Sequence, residues 1–259
     1  MKESKMALTE HLSELRKRIF ITLIFIFIAF IITFHFSEEI LKFLLFPLNS
    51  ELQLSLKKPY FHLAKKLHQV KLVFLAPAEA FWMHIKIAFV ASFIVSLPVI
   101  FHHIWRFITP GLLQKEKKYF LPFLISATAL FMIGAAFCFM VVLPFTMGFL
   151  LNYKTENLEA MISIGNYVDF CLKFILAFGA VFELPLIIVF LTKYGVVSPE
   201  MLAKQRKYAV LGAFIAAAIL TPTPDAFNQT LMAFPIIILY EIGIILSKFI
   251  YRKKKNDGS

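Results

Sequence analysis

Charge is scarce in this chain of 259 residues. Asp, Glu, Lys and Arg together make up 17% of it, where soluble domains carry roughly 25%. That shortage excludes a disordered polyelectrolyte and an ordinary soluble enzyme. Cysteine is nearly absent. Cys138 and Cys171 each sit inside an apolar run, without the spacing of a zinc or redox site. They read as small buried hydrophobes, and no disulfide framework is implied. No Walker loop, HExxH or GxSxG occurs, so no nucleotide site or catalytic triad can be argued and the chain is not read as an enzyme. The histidines offer no metal site. His102 and His103 are adjacent, and neighbours on a helix point about 100° apart and cannot share one ion. His11, His62, His68 and His84 form no ligand spacing either. No cofactor is expected.

What fills the chain instead is apolar. Hydrophobic residues make up 59%, Phe alone contributes 31, and mean hydropathy is +0.77. The few charges punctuate long runs: Ile19–Phe36, Ile87–Trp105, Tyr119–Tyr153, Phe174–Thr192 interrupted only by Glu183, Tyr208–Pro224, and Ala226–Ser247 interrupted only by Glu241. A helix needs about 20 apolar residues to cross the hydrocarbon core. The runs lack the period-2 alternation of barrel strands. The expected fold is an all-α integral membrane protein with six transmembrane helices, about 19–36, 81–107, 119–150, 166–192, 208–221 and 227–247. It forms a single transmembrane domain over 1–259, with an outer cap at 37–80. The 35 residues from Tyr119 to Tyr153 are too few for two spans and a turn, which need about 42. They read as one long tilted helix that kinks at Pro144 or leaves the membrane there. The first span lacks a small-residue cleavage site and exceeds a signal-peptide core in length, so it reads as uncleaved.

Lys and Arg set the orientation. With both termini on one side, that side carries 18 of them and the opposite side 7, while Lys86 and Lys173 fall inside spans. The positive-inside rule then puts both termini in the cytoplasm. The net charge of +11 is thereby a topology signal, and no nucleic-acid partner is expected.

Between the first two spans, Ser37-Glu38-Glu39 reads as an N-cap and acidic first turn. It opens a short amphipathic helix over 38–46 that Pro47 stops, with a second helix near 60–70. The fifth span, Tyr208–Thr221, is about 21 Å of helix, short of a core of about 30 Å. It must thin the bilayer or be shielded by partners. Thr221-Pro222-Thr223-Pro224-Asp225 turns it tightly into the sixth. Glu183 interrupts an apolar helix beside Pro185, which bends it. An acid at that depth costs several kcal/mol, so it should face the protein interior or a wet cavity. It reads either as an intramembrane polar pocket for a substrate or partner group, or as an internal partner of Lys86 or another span. Lys86, one turn from a span end, can snorkel.

Four stretches carry a resemblance. Thr9-Glu10-His11-Leu12-Ser13-Glu14-Leu15-Arg16-Lys17-Arg18 leads into the first span. Pro98 to Trp105, Phe107, Pro110-Gly111-Leu112 and Glu116-Lys117-Lys118 follow. Then come Ala177-Phe178-Gly179 with Phe182-Glu183-Leu184-Pro185, and Arg206-Lys207-Tyr208 with Thr221-Pro222, Asp225 and Gln229-Thr230-Leu231. In this order the chain resembles the TatC family, the polytopic subunit of the twin-arginine protein translocase, over nearly its whole length. It departs from the family pattern at His102-His103 and Gly111, and its loop near 50–72 is longer and more basic.

The resemblance implies a glove-like concave bundle with short fifth and sixth spans in a bacterial inner membrane. It implies a receptor that binds the Arg-Arg signals of folded precursors and recruits single-span TatA and TatB proteins for export driven by the proton-motive force. Glu14 and Glu116, with Arg16 and Phe107 beside them, match the positions that hold the signal. Two guanidiniums want two carboxylates, each able to form a bidentate pair. On the residues alone, Glu14 reads rather as an exposed partner for Arg18 at i, i+4, and Glu116 as a solvated loop charge. Glu183 matches the family's buried acid, Asp225 and Gln229 match partner-docking positions, and Pro47, Pro77, Pro98, Pro110 and Pro185 match structural prolines. Membrane lipid is a further partner, and self-association stays open. The rival reading is a proton-coupled secondary transporter of a small solute with Glu183 as its coupling acid.

Overall fold

The computed structural model describes residues 8–54, 61–65, 71–108, 120–152, 161–220 and 226–256. It is overwhelmingly helical. Four helical segments are long and apolar enough to cross a bilayer: Leu12–His35, Phe120–Leu151, Ile164–Lys193 and Ala226–Tyr251. A fifth, Glu79–Val95 with Leu97–Phe107, is broken by a 53° bend. The chain divides into two compact units, one built from Met1–Lys42 and Phe81–Ala129, the other from Phe43–Ala80 and Leu130–Ser259.

In the first unit, helix α1 (Leu8–His35) leads into α2 (Ser37–Leu44), whose first turn carries Glu38 and Glu39. The next long helices are α4 (Glu79–Val95) and α5 (Leu97–Ile108). Pro98 is the second residue of α5 and supplies no N–H to the turn before it, which accounts for the bend at Ser96. Thr33 of α1 donates its hydroxyl to the Ala88 carbonyl at 2.8 Å, and Ser37 Oγ lies 3.0 Å from His84 Nδ1. These polar bonds fasten α1 and α2 to α4, and α1 also packs on α5. Trp105 is buried and its ring meets that of Phe123 at 4.6 Å.

The remaining elements belong to the second unit, apart from the Phe120–Ala129 part of the next long helix, which belongs to the first. The second unit begins with α3 (Phe46–Asn49), strands β1 (Ser50–Leu54) and β2 (Phe61–Lys65), and β3 (Lys71–Val73). Two expectations change here. The amphipathic helix ends at Leu44, and Pro47 sits inside the first turn of α3, where a missing N–H costs nothing. The helix expected near 60–70 is a strand, β2, paired antiparallel to β1 with Leu63 opposite Leu52. Leu52 and Leu54 on one strand and Phe61 and Leu63 on the other recur every second residue, the strand period.

From Phe120 the chain is helical through α6 (Phe120–Phe137), a wide π-turn (Cys138–Val142) and α7 (Leu143–Asn152). Pro144 explains the π-turn. It has no N–H for the carbonyl four residues back, and the ladder widens so that Leu143 N–H bonds to Cys138 O. Strand β4 (Met161–Ser163) pairs parallel with β3. Ser163 then caps α8 (Ile164–Phe182) by accepting from Asn166 N–H. After Glu183 comes α9 (Leu184–Lys193), with Pro185 in its first turn. Ser198 caps α10 (Pro199–Lys204), and α11 (Arg206–Leu220) and α12 (Ala226–Asn256) form the final pair. Helix α12 packs along α9 and α11. Cys138 and Cys171 are buried free thiols.

Candidate functional site

The first candidate lies at the start of α1. Glu14 and Arg18 face each other across one helical turn and form an ion pair. Both are largely shielded, and Glu14 Oε2 and Arg18 Nε are buried with no hydrogen-bond partner among the described residues. The carboxylate therefore spends one oxygen on Arg18 and keeps the other unsatisfied, and a buried unsatisfied acceptor is costly. Arg16 points to the other side of the helix, exposed, with its guanidinium carbon 5.7 Å from the Phe20 ring centroid. Phe107 is half-buried near the end of α5, the helix against which α1 packs. Glu116 and Pro110 lie outside the described residues.

The second candidate is Glu183, at the break between α8 and α9. It is buried, and its Oε1 has no hydrogen-bond partner among the described residues. Two glycines build its surroundings. A Cβ on Gly134 of α6 would lie 2.6 Å from the Phe178 carbonyl, and one on Gly179 of α8 would lie 2.5 Å from the Phe131 ring. Only glycine allows α6 and α8 to approach this closely. The Pro185 ring removes one donor beside Glu183, and the Glu183 carbonyl accepts from Ile187 N–H at 2.9 Å. One Glu183 oxygen is thus left without a partner beside the same helix pair, where the Phe137 and Phe182 rings lie 5.7 Å apart.

At the α11–α12 end, Gln229 is half-buried and donates to the Phe214 carbonyl at 3.1 Å. It pins α12 to α11. Asp225 lies outside the described residues. Of the prolines, Pro47 and Pro185 are buried, whereas Pro77 and Pro98 are exposed. Histidines 102 and 103 stack edge to face at 5.3 Å. No three His, Cys, Asp or Glu gather as a metal ion would require among the described residues.

Four sets of contacts are not legible in the sequence. Glu79 accepts from Leu75 N–H at 2.6 Å, from Gly165 N–H at 2.8 Å and from the Ser163 hydroxyl. It joins the start of α4 to that of α8. Its only sequence signal is an acid in a first helical turn after Pro77. Tyr167 donates to the Leu44 carbonyl at 2.6 Å. Arg206 grips Glu241 with two bonds, 2.7 and 2.8 Å, across α11 and α12, and Tyr240 donates to the Leu202 carbonyl at 2.9 Å.

Comparison with known proteins decides the family. Residues 10–235 match the family model "Sec-independent protein translocase protein (TatC)". The chain belongs to the TatC family. Among curated TatC-family relatives, the Sec-independent protein translocase protein TatC of Aquifex aeolicus is 40% identical over 96% of this chain and 98% of its own. The TatC of Desulforapulum autotrophicum is 38% identical over 98% of this chain and 89% of its own, and that of Escherichia coli K12 is 36% identical over 98% and 93%. A crystal structure described as the twin arginine translocase receptor TatC superposes with a TM-score of 0.78 at 38% identity, covering 93% of this chain and 99% of that one. This TatC-family chain is therefore a multi-pass membrane protein of an all-α translocase fold, and a transport component rather than a catalyst.

Proposed function

We propose that this chain is the signal receptor and core subunit of a twin-arginine translocase in a bacterial inner membrane. In this reading six spans place both termini in the cytoplasm. The fifth is α11, whose 15 residues are too short to cross a bilayer of ordinary thickness, and a thinned membrane or a partner helix accommodates it. Glu14 and Glu116 receive the two arginines of the signal, with Arg16 and Phe107 flanking them. The observation that carries this is the state of Glu14. One oxygen is held by a local arginine and the other is unsatisfied, on a helix packed against the one that leads to Glu116. A helical i, i+4 pair is worth only about 0.2–0.5 kcal/mol, so an incoming guanidinium with bidentate geometry displaces it.

Glu183 offers an unsatisfied acceptor to a polar group of the inserted signal or of a partner helix. Asp225 and Gln229 mark the hairpin where single-span TatA and TatB proteins dock, and Gln229 also stiffens that hairpin through Phe214. The proton-motive force drives export of the folded precursor.

The test is binding of purified chain to a precursor signal, Arg-Arg against Lys-Lys, for wild type and for Glu14→Ala with Glu116→Ala. Hydrogen bonds to charged groups contribute about 1.5–3 kcal/mol each. Losing both should weaken binding by two decades or more, and Lys-Lys should bind weakly to either form. Equal binding of both signals would defeat the receptor reading.

A further inference from the structure

The span Ile164–Lys193 is too long for a bilayer. Its 30 residues extend about 45 Å at 1.5 Å per residue, against a hydrocarbon core of about 30 Å. About 15 Å of helix, some ten residues, must tilt away or stand outside. The polar residues say which end stands outside. Asn166, Asp169 and Lys173 lie at i, i+3 and i+7 of α8, on one face, with Asn166 and Lys173 exposed. From Phe174 to Thr192 the only charge is Glu183, which is buried. The surplus therefore sits at the Ile164 end, and Lys173 is the last exposed charge before the hydrocarbon.

Helix α4 repeats the pattern independently. Lys86 is exposed and stands directly before the charge-free run Ile87–Trp105. One turn earlier, Phe81 and Trp82 are 59% and 56% exposed, as aromatics at a membrane interface are. Glu79, at the start of α4, holds its polar cluster with Ser163 and Gly165, which belongs in water rather than in lipid. Side chains on a helix lean toward its N-terminus, so each lysine leans out of the hydrocarbon toward the headgroups.

We infer that Lys173 binds the phosphate of an anionic phospholipid in the leaflet flanking the start of α8. The headgroup plane then crosses α8 at Lys173, and Ile164–Leu172 stand above the hydrocarbon with the Glu79 cluster. In the orientation proposed above this is the outer leaflet, but the level and the ligand do not depend on that orientation.

Two measurements on the full chain test this. In nanodiscs of phosphatidylcholine with a minor fraction of phosphatidylglycerol, native mass spectrometry counts the phosphatidylglycerol retained after release. Lys173→Gln should retain it about fivefold less than wild type, the factor expected of one lysine at an anionic surface, and Lys173→Arg should retain it as wild type does. Unchanged retention in Lys173→Gln overturns the ligand. In vesicles of the same lipids, a charged membrane-impermeant maleimide should label Lys173→Cys and spare Ile187→Cys, Ile187 being exposed deep in the same span. The native thiols are buried. Equal protection of both positions overturns the level. Neither measurement involves a signal peptide, so failure here leaves the receptor reading standing, and the reverse holds.

Discussion

At the scale of single residues, the structure turns on a few polar atoms in apolar surroundings. Glu14 is the one with the plainest consequence. In the proposed receptor its bond to Arg18 would compete with the signal arginine, so removing the competitor should help the ligand. Arg18→Gln is expected to raise affinity for an Arg-Arg peptide about twofold, the factor that an i, i+4 pair of about 0.2–0.5 kcal/mol allows. Titration calorimetry in detergent reads this directly, and a fall in affinity would show that Arg18 supports the site rather than competing for it. Gly179 makes the second case. Its missing Cβ is what lets the Phe131 ring sit against α8. Gly179→Leu forces the two helices apart, and overpacking of this kind costs about 1–3 kcal/mol. A lowered thermal midpoint in detergent is the expected result, and an unchanged midpoint would mean that α6 and α8 repack freely. The Glu14–Arg18 spacing is legible in the sequence, but neither the shielding of that pair nor the Gly179 contact is. The first needs the burial of Glu14 and the second needs the position of a ring 48 residues away in the chain.

At the scale of elements, proline and ion pairs set the breaks and the joins. Pro98, Pro144 and Pro185 each remove a donor from a helical ladder, with three different outcomes: a 53° bend, a π-turn, and a division at Glu183. The sequence reading placed a disturbance at Pro144 and Pro185 because a missing N–H is a local property. It could not choose between a kink and a π-turn, because packing around the ladder makes that choice. Replacing Pro144 by Ala restores the donor. A double electron–electron resonance distance between spin labels at Met132 and Gly148 should then shift and narrow as the π-turn gives way to regular helix. An unchanged distance would mean that packing, rather than Pro144, holds the π-turn. Strand β2 shows the opposite limit. Residues 61–65 form a strand because β1 is beside them to pair with, and a five-residue segment has too little periodicity to announce that partner. The Arg206–Glu241 bond is well formed but exposed, so it joins α11 to α12 with little effect on stability. Tyr167 is buried and bonded, and it contributes more.

At the scale of the whole molecule, the governing quantity is helix length against bilayer thickness. Ile164–Lys193 is too long, and in the proposed six-span topology α11 is too short. The mismatch at α11 makes a testable demand. A 15-residue helix extends about 22 Å, so the chain should be most stable and most active in signal binding in short-chain lipid. Reconstitution in phosphatidylcholines of 14, 18 and 22 carbons (chosen for about 10 Å of thickness range) should show a steady decline with chain length. A maximum at the longest chain would place α11 outside the bilayer.

Hydropathy, the lysine and arginine bias and the helix-breaking residues are properties of the chain read in order. The sequence by itself therefore determined that this is a helical membrane protein, roughly where its spans run, and which family its motifs resemble. The comparisons bear out that family over nearly the whole chain. Contacts between residues far apart in sequence are another matter. The Glu79 cluster with Ser163 and Gly165, the Tyr167 bond to Leu44, the Arg206–Glu241 fork and the glycine contact of α6 with α8 depend on which helix faces are apposed. That is set by the packing of many side chains at once, and no local pattern encodes it. Only the tertiary structure decided that the Glu14–Arg18 pair is shielded, that Glu183 keeps one buried oxygen without a partner among the described residues, and that Lys173 is exposed on α8.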